Sequence, residues 1–204
     1  MAKRIAHKEF TWEDDFKNLH PSTFGQEIYF SSIKTLLRKQ WIDNKAGKLV
    51  AAKSPPPLQP LNYSNAKYMA VEEAINKKEF VVDPSWKPAD NIKTREGFVN
   101  VPMLIADKPG ASFDLAFTGT TIGIAVVSGP GAGTIQYTVD GKDKTKLDTY
   151  NHYSRSLYLP QYFLLADDLK DKKHVLHVQI SNEHNEASKG TTIKIVHFLV
   201  NQIK

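Results

Sequence analysis

The sequence contains no cysteine, which excludes disulfides, thiolate zinc sites and a cysteine nucleophile. No apolar stretch approaches the ~20 residues that a membrane-spanning helix needs. Met1 to Glu9 are basic but include no apolar core, so no secretory signal peptide is visible. Charge of one sign is not concentrated either. Lys and Arg outnumber Asp and Glu by 27 to 22, a net charge of +5, yet the longest basic run, Lys170 to Lys173, is broken by Asp171. Nucleic-acid binding calls for a basic stripe with aromatic or motif support, and the chain has none. What is present is an ordinary globular composition, 41% hydrophobic and 24% charged over 204 residues. That is enough for one large domain, or for a domain and a fragment.

The order of residues divides the chain into 1–41, 42–95 and 96–204. In the first zone Phe24, Ile28, Tyr29, Ile33, Leu36, Leu37 and Trp41 recur at helical spacing, which predicts an amphipathic helix. Ser22, after Pro21, is its expected N-cap, because a hydroxyl there can accept a free N–H of the first turn. Lys34, Arg38 and Lys39 fall toward the end where they would complement the helix dipole. The second zone reads as a connector. Ser54-Pro55-Pro56-Pro57-Leu58-Gln59-Pro60 suits neither a helix nor a central strand, and a domain boundary is expected here. A short helix is expected over 64–78, with Met69, Ala70, Ala74 and Ile75 toward one side. Irregular structure is expected around Pro84, Trp86 and Pro88.

The third zone is dense in candidate strands: 98–105, 112–118, 122–128, 134–139, 156–159, 174–181 and 192–200. Pro109-Gly110, Gly129-Pro130-Gly131, Asp140-Gly141 and Lys189-Gly190 punctuate them as turns. Ile193, Ile195, His197 and Leu199 alternate with Lys194, Val196 and Phe198. The second set is not wholly polar, which points to partial cover on both faces. Short strands over about a hundred residues predict a mainly β fold, a jelly-roll-like β-sandwich preceded by a helix and a Pro-rich connector.

The stretch richest in chemistry is Trp12-Glu13-Asp14-Asp15-Phe16-Lys17-Asn18-Leu19-His20-Pro21-Ser22-Thr23-Phe24-Gly25-Gln26. It resembles the last block of SGNH (GDSL-type) hydrolases, where an acid precedes a His-Pro pair that opens the closing helix and a Gly follows. Thr94-Arg95-Glu96-Gly97-Phe98-Val99-Asn100-Val101-Pro102 and Phe117-Thr118-Gly119-Thr120-Thr121-Ile122-Gly123 resemble the β-domain attached to some bacterial, particularly Bacteroidetes-type, members. Gly129 to Gly133, Val139-Asp140-Gly141 and Tyr158-Leu159-Pro160 fit the same picture. Such modules resemble galactose-binding-like sandwiches and often accompany carbohydrate-active enzymes.

The resemblance implies that residues 1–41 are a remnant of an SGNH α/β domain, with His20 as general base of a serine triad. A base of this kind takes the serine proton and returns it to the leaving alcohol, while a carboxylate fixes its tautomer. The family acid sits three residues before the histidine, where this chain has Lys17. Asp15 and Asp14 are the nearest carboxylates, Asn18 occupies another place where relatives carry Asp, and Asp15 is the expected acid. The family's Gly-Asp-Ser block and oxyanion-hole Gly and Asn belong near the start of its domain. Nineteen residues precede His20, and they hold no such block. The expectation is therefore the carboxy-terminal part of an esterase, inactive alone. The missing SGNH segment would be its partner, and an acylated carbohydrate or other ester the substrate of the full-length protein. No metal or cofactor is implied, and the full-length relatives are expected to be periplasmic or secreted. The alternative is a carbohydrate-binding or structural β-sandwich module.

Gly129 to Gly133 follows a strand but lacks a Gly-Lys-Ser/Thr ending, so a hairpin turn is expected rather than a phosphate loop. His174 and His177 should face opposite sides of one strand and share no metal. Asp167, Asp168 and Asp171 read as a solvated acidic loop rather than a calcium site. Tyr150, Tyr153, Tyr158 and Tyr162 with Asn151, His152 and Arg155 form an aromatic-polar set. Tyr150, Tyr153 and Arg155 are its candidate sugar-binding residues; the competing reading is that the tyrosines cover the end of the sandwich.

Overall fold

The computed structural model describes residues 2–16, 20–43, 55–56, 58 and 62–202. It divides into two compact units, Met1–Pro56 and Pro57–Lys204.

The first unit holds α1 (Ala2–Ala6), α2 (Trp12–Asp15) and α3 (Thr23–Asp43). Ser22 is the N-cap of α3: its Oγ accepts the Gly25 N–H at 3.1 Å, as expected. The helix runs on to Asp43, so Lys34, Arg38 and Lys39 fall before its last turn, which contains no basic residue. Dipole complementation fades beyond the terminal turn, and these three residues do not supply it. Phe10, Phe16 and Ile28 form a small core. Ile33, Leu36, Leu37 and Trp41 on α3 are exposed. Among the described residues no helix is long and apolar enough to cross a membrane.

The second unit is a β-sandwich. Its strands are β1 (Ala66–Met69), β2 (Ile75–Lys78), β3 (Val81–Trp86), β4 (Val101–Ala106), β5 (Ser112–Gly119), β6 (Thr121–Ser128), β7 (Thr134–Val139), β8 (Lys142–Asp148), β9 (Leu159–Ala166), β10 (Lys172–Ile180) and β11 (Ile193–Asn201). One antiparallel sheet has the order β3-β4-β11-β6-β9, with β1 also on β11; the other has the order β2-β5-β10-β7-β8. From β4 to β7, and again from β8 to β11, the chain alternates between sheets, which gives the jelly-roll-type sandwich that the strand spacing predicts. Inward residues of both sheets fill the core, among them Phe113, Leu115, Ile122, Ile124, Leu176, Val178, Ile195 and Phe198. Phe113 packs edge-on against Phe80, with ring centroids 5.0 Å apart, a geometry that suits the ring quadrupoles.

Several local expectations change. Residues 64–78 are not a helix but β1, a 3₁₀ turn (Val71–Glu73) and β2. Val71 and Ala74 are buried at a helix-like interval, yet edge pairing of β1 to β11 and β2 to β5 overrides the helical composition. The stretch around Pro84 and Trp86 is strand β3, at the edge of its sheet. Pro84 sits where the register shifts between Asp83 and Trp86, and a bulge on an edge strand tolerates the missing N–H. The strand expected over 156–159 instead starts at Leu159 and runs to Ala166, after a 3₁₀ turn at His152–Arg155. Pro160 does not end it, because β9 is also an edge strand. Gly129 to Gly133 turns the chain from one sheet to the other rather than forming a hairpin. A side chain at Gly133 would collide with the Thr191 carbonyl, so the crossover needs glycine there.

Strand β8, missed in the sequence, is a lysine-bearing edge strand, a composition that discourages further strand addition. It is joined to β7 through Asp140 and Gly141, whose φ values are +53° and +71°, the signature of a type I′ hairpin. β11 holds the most consequential departure. A bulge between Ile195 and His197 shifts its phase, so Ile193 and Ile195 point into the core but Phe198 and Val200, not His197 and Leu199, continue there. Val196 joins a second buried cluster with Trp86, Met103 and Val127, so this part of the sheet is covered on both faces.

The β7–β8 turn is tied to β10. The buried His174 donates from Nδ1 to Asp140 Oδ2 at 2.8 Å, and its Nε2 meets the Lys170 carbonyl at 2.8 Å. The His174 hydrogen bond first, then the Val175 N–H, holds the Asp140 carboxyl below the ordinary carboxylate range. A carboxyl lowered by folding stabilises the protein above its unfolded pKa of about 3.9 and loses that contribution as pH falls through the folded value. Asn tolerates a positive φ, so Asp140→Asn keeps the turn. Urea titrations from pH 6 to pH 3 are expected to show a smaller loss of stability for Asp140→Asn than for the parent. An equal loss would show that the pair contributes nothing.

Candidate functional site

The His-Pro segment is built around two caps. Thr11 opens α2, accepting the Asp14 N–H at 3.0 Å and donating its hydroxyl to Asp14 Oδ2 at 2.7 Å. This leaves Asp14 engaged at its own helix start. Asp15 instead reaches forward: its carbonyl accepts the Ser22 N–H at 2.9 Å, and its Oδ1 accepts the Ser22 hydroxyl at 3.4 Å. Its Oδ2 also receives the Thr11 N–H at 3.4 Å. Asp15 is thus brought to the residue that caps α3, two positions after His20, and His20 itself is exposed. Lys17 and Asn18, the other positions where the triad acid was sought, lie outside the described residues.

Gly25 has a specific role in this arrangement. A Cβ there would stand 2.5 Å from the Asp15 carbonyl oxygen and 2.9 Å from Pro21 Cβ, closer than backbone tolerates. Only glycine lets the first turn of α3 press against the end of α2. Phe16 is held beside it by Trp12, stacked at 4.8 Å, and by Tyr29, edge-on at 5.3 Å. The spacing His-Pro-Ser-x-x-Gly is therefore a packing requirement as well as a motif.

The aromatic-polar set of the sandwich separates into different environments. Asn151 is occupied as a cap, its Oδ1 accepting the N–H groups of Tyr153 at 2.8 Å and Ser154 at 3.0 Å. Tyr150 is buried, at 9% exposure, which is the packing role and leaves its ring no open face for a sugar. Tyr153 and Arg155 are exposed, with Tyr153 against the His152 ring. Tyr158 donates its hydroxyl to Asp90 at 3.0 Å and packs edge-on to Trp86 at 5.2 Å. Burial first, then Asp90, pushes the Tyr158 hydroxyl up to about 12. Lys194 lies over both rings, 5.2 Å from Tyr158 and 5.8 Å from Trp86, an attraction of the cation for the ring faces. Burial pulls its amine down to about 8, against the pull of Asp90 and Asp107. Tyr162 belongs to none of this and stands exposed on β9.

The two histidines of β10 are separated as the alternation predicts. His174 points inward to Asp140, whereas His177 faces out and bonds Asp114 at 2.7 Å. Among the described residues no group of three or more His, Asp or Glu is placed to hold a metal ion.

No protein-family model matches the chain, and no curated protein matches its sequence. Solved structures do resemble it. A two-domain esterase described as active on acetylated mannans superposes over 99% of this chain and 53% of its own, with a TM-score of 0.71 and 18% identity. A structure of such an esterase co-crystallised with mannopentaose gives a TM-score of 0.68 and 19% identity, over 99% of this chain and 52% of that one. The chain thus spans about half the length of these structures. At such identities the likeness establishes the fold.

If the close approach at Gly25 orders the first unit, Gly25→Ala should destabilise it by about 1–3 kcal/mol, although alanine is the better helix former by about 1 kcal/mol. Amide hydrogen exchange is the readout: exchange should quicken across α3 and stay unchanged in the sandwich. Unchanged or slower exchange in α3 would contradict the packing argument.

Proposed function

We propose that this chain is the carboxy-terminal portion of an SGNH-type esterase acting on acylated carbohydrate, with His20 as general base and Asp15 as the carboxylate that orients it. The observation that carries the reading is the His20-Pro21-Ser22 helix start, with Asp15 tied to the Ser22 hydroxyl. It occurs in a chain whose fold matches half of an acetyl-mannan esterase along 99% of its length. The exposed Ile33, Leu36, Leu37 and Trp41 of α3 support it, since apolar residues along the closing helix of an α/β domain would be covered by the rest of that domain.

In this reading His20 takes the proton of a serine hydroxyl as that oxygen attacks the ester carbonyl. It then gives the proton to the departing sugar oxygen, and repeats the cycle with water to release the acid. Asp15 stabilises the imidazolium and fixes its tautomer. The 204 residues contain no Gly-Asp-Ser block, and this reading assigns the serine and the oxyanion donors to a segment outside them. We place the full-length protein outside the cytoplasm, where polysaccharide substrates are found. The second reading, a carbohydrate-binding module, is favoured by exposed tyrosines on the sandwich itself.

Two assays test the proposal. The chain alone should hydrolyse p-nitrophenyl acetate no faster than its His20→Ala variant. Fused behind a Gly-Asp-Ser-bearing segment of a mannan esterase of this fold, it should release acetate from acetylated mannan, and His20→Ala should slow that release by about 10²–10⁴-fold. His20-dependent turnover by the chain alone, or a fusion indifferent to His20, would overturn the assignment.

A further inference from the structure

The bulge in β11 has a chemical consequence on the outer face of its sheet. Tyr68 on β1 lies opposite Leu199 on β11, Leu199 opposite Gly123 on β6, and Gly123 opposite Leu164 on β9. In the neighbouring row His197, Ala125 and Tyr162 lie side by side. The phase shift turns His197 outward, where its ring stacks on Tyr68 with centroids 4.8 Å apart and planes 24° from parallel. Tyr162 stands on the far side of the small residues Gly123 and Ala125. Its hydroxyl is raised by burial first and then by the neighbouring Tyr68.

Beside this pair opens a pocket of about 430 Å³, lined by Tyr63, Tyr68, Tyr162, Leu164, Leu199 and Asn201 among others. The three tyrosines and Leu164 are each at least half exposed, at 51%, 63%, 55% and 50%. Tyr63 is steadied by its hydroxyl on Asp167 at 3.4 Å. Asn201 is 3% exposed. Its Nδ2 donates to Thr120 Oγ1 at 3.2 Å and the Asn62 carbonyl at 3.4 Å. Its Oδ1 is the buried side-chain oxygen that lacks a hydrogen-bond partner among the described residues.

We infer that this pocket is a binding subsite for an O-acylated pyranose residue. Its size falls within the range of small-ligand sites, and its aromatic rings are carried on strands at both rims. The electron-rich ring faces attract the C–H groups of a sugar. The Tyr68 and Tyr162 hydroxyls can exchange hydrogen bonds with ring hydroxyls. Leu164 and Leu199 offer an apolar wall for the acyl methyl. Among the described residues no carboxylate lines the pocket, and the Lys67 that does line it spends its ammonium on Gln202 Oε1 at 3.0 Å, so the site suits a neutral ligand. The choice of an acylated sugar rests on the proposed carbohydrate specificity. The site itself lies on the sheet face, and neither Tyr153 nor Arg155 lines it.

Isothermal titration calorimetry of the full chain with acetylated manno-oligosaccharides, and with the same material deacetylated, tests the inference by binding rather than by hydrolysis. The acetylated ligand should bind, and Tyr68→Ala and Tyr162→Ala should each weaken it about tenfold. Tyr68→Phe, which keeps the ring, should weaken it less, and Val81→Ala, an exposed position outside the pocket lining, should leave it unchanged. Deacetylation should cost about fourfold, the worth of one buried methyl. Thermal unfolding of each variant at the parent temperature shows that the sandwich is intact. Binding that survives both alanine variants would overturn the subsite while leaving the esterase reading standing. Absence of binding, or light scattering that shows a dimer dispersed by Tyr68→Ala, would also overturn it. Equal affinity for the two ligands would remove the acyl group from the assignment. The fusion assay judges the esterase reading independently of all these outcomes.

Discussion

β11 is the strand on which both the core and the surface of the sandwich depend. It pairs with β4 and β1 along one side and with β6 along the other. One extra residue between Ile195 and His197 decides what each part of it does. Before the bulge, Ile193 and Ile195 fill the space between the sheets; after it, Phe198 and Val200 do. Val196 is freed to close the second cluster under Trp86 and Met103, and His197 is delivered to the outer face against Tyr68. A bulge re-aims side chains without ending the strand. Here it allows a continuous core and an aromatic outer surface to share a single strand.

The same logic explains what could be read in advance. Ser22 as a cap and Asp140-Gly141 as a turn are local chemistry, settled by residues that touch within a few positions, and both were legible. The strands with strong apolar alternation, such as Ser112–Gly119 and Lys172–Ile180, were legible for the same reason. The strands that escaped are those whose identity comes from a distant partner. Ala66–Met69 becomes a strand because Val200 and its neighbours pair with it, and Val81–Trp86 because β4 does. Lys142–Asp148 carries little apolar signal and is defined by a two-residue turn and its pairing to β7. The β11 bulge leaves no mark in a pattern of alternation.

The candidate sites divide in the same way. The proposed roles of His20 and Asp15 rest on a contiguous motif, and the structure adds the caps and the Gly25 contact that hold the segment together. The tyrosines clustered in the sequence at 150–162 do not form one site. Tyr150 is interior and Tyr158 belongs to an aromatic and lysine cluster. Tyr162 shares a pocket lining with Tyr68, far away along the chain. A surface assembled from β1, β9 and β11 could not be seen before the register was known.

The central proposal is that the chain is the last part of an esterase whose nucleophile lies outside these 204 residues. The nucleotide sequence immediately upstream of the Met1 codon tests this most directly. The account predicts an open reading frame, continuous with Met1, that encodes a Gly-Asp-Ser block. A verified independent start at Met1, with no such block in the adjoining frame, would contradict it and leave the sandwich as a binding or structural module.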